Sequence, residues 1–189
     1  SKGVFYRPKQ GVLGEVRPSD NEKIRLYLFA GEKRIGYITG LSLYNRMGLT
    51  TQVPKTVAIA TEKARQKKSL GNIDIRLVPS KAPVNEQNKE YLEVLDALTD
   101  IKNIPDSQPF EVLDVLSQKI KNMDEGALNS LVQLAKEYYP PATKALLGLI
   151  LDTNGFTISR LLAEDLNPTT RYNIGLKEYW PQAKKWKII

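Results

Sequence analysis

The sequence predicts an α+β fold in which a small sheet-containing segment precedes a helical bundle. Within residues 34–82 apolar and polar side chains alternate, as in Ile73, Ile75 and Leu77, which is the two-residue period of a half-buried strand. From Pro83 onward the apolar period lengthens to about 3.6 residues, that of an amphipathic helix. We therefore expect a small mixed α/β domain with a short antiparallel sheet and a hairpin, followed by an antiparallel helical bundle and a short terminal strand.

The same patterns divide the chain into three segments. Residues 1–18 hold a short strand at Val4–Tyr6 and a link, punctuated by proline and glycine, from Pro8 to Gly14. Residues 19–82 form a basic α/β domain. Residues 83–189 form a helical C-terminal extension that packs on that domain.

The middle segment begins with a helix and continues with alternating short elements. Ser19 and Glu22 have the spacing of a capping box, in which the hydroxyl accepts from the amide three residues on while the carboxylate reaches back. This predicts a helix at about 20–30. The elements expected next are a strand with Ile35, Tyr37 and Thr39, a helix from Gly40 to Met47, and a strand with Val57 and Ile59.

A basic hairpin follows these elements. Gly71 and Asn72 suit a tight turn, so residues 66–70 are expected to pair with the strand that contains Ile73, Ile75 and Leu77. The lysines just before the turn would then lie along a solvent-exposed arm of the hairpin.

Four helices are expected in the last segment. Apolar stripes predict helices at about 86–103 and 110–120, and Asp124 is placed to cap a third. Pro140 and Pro141 start a fourth, because the missing amide costs nothing in the first helical turn. Short links between similar helices favour antiparallel neighbours.

The tail has a different pattern from the helices before it. Tyr172, Ile174 and Leu176 alternate as in a strand, and Trp180 and Trp186 follow among lysines. Such an aromatic pair either docks on the core or offers a patch to a partner, and we favour docking.

Composition excludes several chemistries. The chain has no Cys and no His, which removes disulfides, thiolate nucleophiles, histidine metal ligands and the commonest general base near neutral pH. No phosphate-cradling glycine motif is present, so we expect no cofactor. There is no signal-like start and no apolar run of the roughly 20 residues that a membrane helix needs. The cysteine-free composition fits a reducing compartment, and we expect a cytoplasmic protein that binds and does not catalyse.

Positive charge is confined to the first part of the chain. Residues 1–82 contain sixteen basic and six acidic side chains, whereas residues 83–189 contain twelve basic and fifteen acidic ones. Such an asymmetry attracts polyanions or an acidic partner over a screening length of roughly 10 Å. The candidate contact residues are Lys63, Arg65, Lys67, Lys68 and Arg76 around the hairpin, with Lys2, Arg7 and Lys9 near the start. The alternative is that the hairpin is only a solvated arm and the N-terminal cations only a fraying end.

Two further pairs have a functional and a structural interpretation. Tyr37 and Tyr44 lie near the basic region and would suit base stacking, but their spacing favours packing in the core. Asp96 and Asp100 lie one helical turn apart, as metal ligands or paired acids do. Without His and without a third carboxylate nearby, we expect these two to form a solvated helix face.

The first half of the chain also resembles a known family. Residues 34–54, RIGYITGLSLYNRMGLTTQVP, together with Val57–Thr61, the basic loop and Ile73–Val78, resemble the AbiE-type antitoxins of bacterial abortive-infection systems. Residues 2–8 resemble the last strand of the wing in a winged helix-turn-helix. The likeness covers about residues 1–82, and the helical half agrees only in general character.

What the resemblance implies is a two-part protein. In that family an N-terminal winged helix binds operator DNA and represses its own operon, while the following domain neutralises a nucleotidyltransferase-type toxin. Residues 1–18 would be the remnant of the wing and a linker, most of the DNA-reading motif would be missing, and the chain would be a truncated form of a longer protein. The expected partners are the cognate toxin and, through the missing module, operator DNA, with weak nonspecific DNA binding by the chain itself.

Two alternatives to an antitoxin follow from the residues. A DNA-binding transcriptional regulator without a toxin partner is favoured by the basic half, and its affinity should fall steeply with salt. An enzyme, such as a carboxylate–metal nuclease, would have to work with carboxylates, Lys or Tyr, and the missing residue types argue against it.

Overall fold

The computed structural model describes residues 9–11, 14–16, 20–62, 66–70, 73–176 and 178–189, and for residues 9–20 only the backbone. The strands are β1 (Lys9–Gly11), β2 (Gly14–Val16), β3 (Phe29–Ala30), β4 (Lys33–Arg34), β5 (Gly36–Thr39), β6 (Thr56–Thr61), β7 (Gln66–Ser69) and β8 (Asp74–Pro79). The helices are α1 (Asp20–Leu28), α2 (Leu41–Arg46), α3 (Lys89–Thr99), α4 (Pro109–Lys121), α5 (Glu125–Tyr138), α6 (Pro141–Thr153) and α7 (Arg160–Ala163). Short 3₁₀ turns lie at Thr157–Ser159 and Pro181–Lys184. The expected α+β fold, with a short sheet and a helical bundle, is confirmed.

The main sheet has four strands in the order β5-β6-β8-β7. The predicted hairpin is present, since β7 pairs antiparallel with β8 and aligns Lys67 with Arg76. Strands β5 and β6 are also antiparallel, but β6 and β8 run parallel. The sheet is therefore mixed. Strand β8 pairs with both β6 and β7, and the alternation of side chains within a single strand does not reveal which strands pair.

One face of this sheet packs on α1. Ile24 of α1 forms a small core with Ile59, Ile75 and Leu77, whose side chains share that face. Helix α1 was predicted, and its first described residue is Asp20, whereas Ser19 of the expected capping box lies outside the described residues.

The helices after residue 88 surround α6. Every residue of α6 from Ala145 to Leu151 is buried, so this helix has no solvent face and packs against α3, α4, α5 and the tail. The predicted cap of α5 is confirmed, as the Asp124 carboxylate accepts from the amide of Ala127 at 2.8 Å. Helix α3 is shorter than the predicted 86–103, because Asn85 and Asn88 hold the preceding turn through reciprocal side-chain bonds.

The core of the bundle continues into the first half of the chain. Tyr37, Leu43, Tyr44 and Ala60 belong to the same cluster of buried residues as the leucines of α3 and α6. This main core therefore crosses the boundary that the sequence patterns place at residues 82–83.

The expected terminal strand at residues 172–176 is wrong. Only Tyr172 forms a bridge, parallel to Ile188, and the surrounding backbone is irregular. The apolar side chains of this segment instead pack the end of the chain onto the core, since Ile174, Leu176 and Ile188 are all buried. The docking of the tryptophans is confirmed, since Trp180 and Trp186 are buried.

The N-terminal segment is described only in part. The link expected from Pro8 to Gly14 contains a small antiparallel hairpin, in which Lys9 of β1 pairs with Val16 of β2. The strand predicted at Val4–Tyr6 lies outside the described residues. No helix in the part of the chain that the structure describes has the length and apolar character needed to cross a membrane.

Candidate functional site

An open groove lies on the sheet face opposite α1, and we call it the sheet groove. Its volume is about 620 Å³. It is lined by Leu41, Pro54, Lys55, Thr56, Ala58, Lys67, Lys68, Ser69, Asp74, Ile75 and Arg76. One wall is the start of α2 with the loop before β6, and the other is the β7–β8 hairpin.

The groove exists because the helices cover only part of this sheet face. Tyr37, Ala60 and Val78 pack into the main core beneath α3. The next row of the sheet, Thr39–Ala58–Arg76–Lys67, is aligned across all four strands and its side chains share one face. Thr39 and Ala58 have small side chains, so the sheet surface is low at β5 and β6. The long side chains of Arg76 and Lys67 project from β8 and β7.

Three exposed cations line the sheet groove without an internal partner. Lys55, Lys67 and Arg76 make no ion pair and no side-chain hydrogen bond with any residue that the structure describes. Asp74 is the acidic residue of the lining, and it lies opposite Ser69 in the hairpin. The groove therefore carries an excess of positive charge that the described part of the fold does not neutralise.

Other cations of the basic half are used inside the protein. Arg34 pairs with Glu86 at 2.6 Å, Arg46 with the buried Glu93 at 2.7 Å, and Lys81 with Asp96 at 2.9 Å. In each pair the cation belongs to residues 19–82 and the acid to the helical segment.

These pairs correct the view that the positive excess of the first half faces a partner as a whole. Part of it attaches that half to the acidic helical segment, and the sheet groove is what remains exposed among the described residues.

The predicted contact residues divide between several places. Lys67 and Arg76 lie side by side in the sheet groove. Lys68 contributes to the groove lining, but its ammonium group extends to the α1 side of the sheet, 5.9 Å from the centre of the Tyr27 ring. Lys63, Arg65, Lys2 and Arg7 lie outside the described residues, and only the backbone of Lys9, in β1, is described.

A second, inner cleft of about 410 Å³ continues from the sheet groove under α3. Arg76 and Ala58 line both spaces. Lys81, Asp96 and Asp100 are among the residues that line the inner cleft and not the sheet groove. The expectation that the two aspartates form a solvated helix face is wrong. Asp96 is only 6 % exposed, because this side of α3 packs against the sheet.

Asp96 is held by four donors. Its Oδ2 accepts from the hydroxyls of Tyr37 and Thr39, both at 2.8 Å, and its Oδ1 accepts from Lys81 Nζ at 2.9 Å and from the Tyr139 hydroxyl at 3.1 Å. A carboxylate offers about four lone-pair sites, so this group is saturated.

The tyrosines around this network are held neutral. Burial, together with the charge of Asp96, raises the pKa of the Tyr37 and Tyr139 phenols well above the ordinary value. Burial and the hydrogen bond to Asp100, 2.5 Å long, do the same to the pKa of Tyr44. The prediction that Tyr37 and Tyr44 pack in the core is confirmed, since they are 1 % and 4 % exposed.

The arrangement around Asp96 is built for structure and offers little to a metal. No group of three or more His, Cys, Asp or Glu side chains with metal-binding geometry occurs in residues 20–62, 66–70, 73–176 and 178–189. Within the same ranges both oxygens of Asp96 already face protein donors. The two carboxylates therefore attach α3 to the first half of the fold, Asp96 through Tyr37 and Thr39 of β5 and Asp100 through Tyr44 of α2.

Sequence reasoning missed the loop that forms one rim of the groove. Val53 is 81 % exposed, and Pro54 and Lys55 beside it line the groove. The signal present in the sequence was the run of uncharged polar residues and proline between α2 and β6, which marks a surface loop.

Comparison with known proteins returns no match: no protein-family model, curated protein or solved structure is similar to this chain. The AbiE-type resemblance therefore rests on the residues quoted for it and remains an expectation.

Proposed function

We propose that this protein is a non-enzymatic antitoxin of the abortive-infection type, which neutralises a nucleotidyltransferase-type toxin by binding to it. The observation that carries the proposal is the sheet groove, where Lys55, Lys67 and Arg76 stand exposed and without internal partners among the described residues. Charge left unneutralised by the fold is available to an acidic surface and raises the rate at which such a partner is captured. A protein acting in this way would work in the cytoplasm, beside its toxin.

The position of the resembling segment supports the same proposal. Residues 34–54 form β5, α2 and the loop that follows, and Leu41 and Pro54 from this segment line the groove. The part of the sequence that suggests an antitoxin is thus also the part that builds one wall of the candidate binding surface.

The chemistry of the inner cleft also favours binding over catalysis. A general base or metal ligand needs an oxygen that is free to accept from substrate or ion. Asp96 is saturated by Tyr37, Thr39, Tyr139 and Lys81. We therefore assign this carboxylate to the fold and not to a reaction.

Co-expression with the adjacent reading frame tests the proposal. If that frame encodes a toxic nucleotidyltransferase, the wild-type chain should restore growth and co-purify with it. A double reversal in the groove, Lys67→Glu with Arg76→Glu, should abolish rescue. The matched control is Lys119→Glu with Lys121→Glu on the exposed side of α4, which should rescue as wild type does. Toxicity that the wild-type chain does not relieve contradicts the proposal.

A DNA-binding regulator is the second candidate, because the same three cations would also attract phosphates. If Lys55, Lys67 and Arg76 each neutralise one phosphate, the logarithm of affinity should fall with the logarithm of salt at a slope of about −2.7. Affinity for the chain's own promoter that does not vary with salt argues against this function.

A further inference from the structure

We propose that the sheet groove binds an extended acidic segment of a partner protein, with Val53 as an apolar contact at its rim. The inference rests on the proposed function, and it specifies which part of a protein partner the groove recognises. Its basis is the shape of the groove, the arrangement of its charges and the exposure of Val53.

The shape of the groove suits a single extended chain. Its floor runs across three strands, from Lys67 through Arg76 to Ala58. Strands lie about 4.8 Å apart, so this row measures roughly 10 Å, the length of about three extended residues. The hairpin and the α2 side stand at the two ends of this row, and a gap of that size admits one extended chain with its side chains.

The charge pattern favours a protein segment over a nucleic acid. Lys55, Lys67 and Arg76 provide three positive positions, but Asp74 lies among them on the same lining. A phosphodiester chain carries a negative charge at every nucleotide and would place one against this carboxylate. A protein segment carries acidic side chains at some positions and an amide or hydroxyl donor at the others, so it matches the pattern.

The apolar rim points in the same direction. Val53 is 81 % exposed, the highest value among the large hydrophobic residues that are exposed in the described part of the chain. The groove lining contains no aromatic side chain among the described residues, so it offers bases no stacking surface there. Val53 and Pro54 lie beside a cationic groove, so they can instead contact an apolar side chain of an otherwise acidic segment.

A titration of the full chain with two probes tests this inference. The first probe is a short synthetic peptide in which glutamates flank two central valines, and the second is single-stranded oligothymidylate of similar length. Amide NMR shifts report the place of binding and fluorescence anisotropy reports the dissociation constant. The peptide should shift the amides of Thr56, Ser69 and Arg76, which lie in the groove.

Variants with matched controls decide whether the named residues are responsible. Lys67→Glu with Arg76→Glu should weaken the peptide at least about tenfold, because two favourable charges become repulsive. Val53→Ser should weaken it about fivefold through lost apolar contact. The controls are Lys119→Glu with Lys121→Glu for charge, and Val115→Ser, on α4 and 43 % exposed, for apolar surface. Neither control should change the dissociation constant.

Each contrary result has a distinct meaning. Tighter binding of oligothymidylate at the same amides overturns the inference in favour of a nucleic-acid site. Peptide binding that is insensitive to the groove variants, or shifts confined to other surfaces, also overturns it. If a toxin is neutralised by wild type and by Val53→Ser equally, and the peptide leaves the groove amides unshifted, the antitoxin function stands and this inference falls. If wild type neutralises no toxin, the proposed function is contradicted. The titration then still shows whether the groove binds an acidic peptide.

Discussion

The indole ring of Trp186 lies directly against the α-carbon of Gly148, at the centre of the helical bundle. A methyl group on Gly148 would come within 2.0 Å of the ring. A polar contact to the same helix also holds the ring, because its Nε1–H donates to Asp152 at 3.2 Å and Lys185 Nζ donates to both oxygens of that carboxylate. The chain end is therefore seated in a notch that only glycine provides on α6.

Gly148→Ala should destabilise the protein in spite of the better helix propensity of alanine. Propensity alone would stabilise α6 by up to about 1 kcal/mol. Forcing a methyl group into the Trp186 ring costs typically about 1–3 kcal/mol as the ring and the tail shift. Urea unfolding followed by tryptophan fluorescence measures the difference.

The same substitution in a Trp186→Ala background is the matched control. With the ring gone, the added methyl group meets space, so Gly148→Ala should become neutral or stabilising there. Equal destabilisation in both backgrounds would show that the ring is not the cause.

Asp96→Asn should lower the free energy of unfolding by more than a substitution at an exposed position does. The change replaces one of the two oxygens by an NH₂ donor, which then faces either Tyr37 and Thr39 or Tyr139 and Lys81, all of them donors. A buried donor facing donors leaves polar groups unsatisfied, and the loss of the charged partner leaves Lys81 unpaired, so we expect a cost of about 3–5 kcal/mol.

Asp114→Asn is the control for this measurement. Asp114 lies exposed on α4, where such a substitution changes the free energy of unfolding by no more than about 0.5 kcal/mol. Comparable urea midpoints for Asp96→Asn and Asp114→Asn would show that the network does not stabilise the fold.

The protein should lose stability in alkali through its buried tyrosines. Because burial raises the pKa of Tyr37, Tyr44 and Tyr139, the native state keeps phenolic protons that the unfolded chain releases above about pH 10. Stability is therefore fully present below that pH and falls as pH rises towards the raised native values, by up to about 1.4 kcal/mol per pH unit for each phenol.

Urea midpoints across this pH range, in wild type and Tyr37→Phe, test the assignment. Removing the Tyr37 phenol should make the decline shallower by one group. An unchanged decline would mean that these phenols do not titrate with unfolding.

Much of the fold was predictable because it follows from local pattern. The alternation around Ile75 and the basic arm before the turn predicted the β7–β8 hairpin, and Asp124 predicted the start of α5. Trp186 was expected to dock because a large aromatic surface near a chain end is rarely left in water. In each case a single segment of sequence contained the information.

What could not be predicted depends on which segments meet in space. The alternation of Tyr172, Ile174 and Leu176 suggested a strand, but the apolar side chains serve to dock an irregular chain end. Asp96 was expected in solvent because neither a His nor a third carboxylate at a suitable spacing accompanies it, and only the sheet packed against α3 explains its burial. The division of the candidate site into Lys67 on one face and Lys68 reaching the other follows from the pairing register, which sequence alone leaves open.

Neutralising either of two arginines in the basic half should affect different properties: stability for Arg46 and partner binding for Arg76. Arg46 pairs at 2.7 Å with Glu93, which is 4 % exposed and whose other cation, Lys89, lies at 4.0 Å. Arg46→Gln leaves that buried carboxylate poorly compensated and should cost about 1–2 kcal/mol, less than a fully buried pair because the arginine is partly exposed. Arg76→Gln removes no internal partner among the described residues and should change stability by less than about 0.5 kcal/mol.

The comparison is made by thermal and urea unfolding of both variants beside wild type, and by partner binding of the same preparations. Arg76→Gln should fold normally and bind more weakly, whereas Arg46→Gln should bind normally at temperatures where it is folded. If Arg76→Gln proves as unstable as Arg46→Gln, then Arg76 serves the fold, and the sheet groove loses one of the three cations on which its proposed role depends.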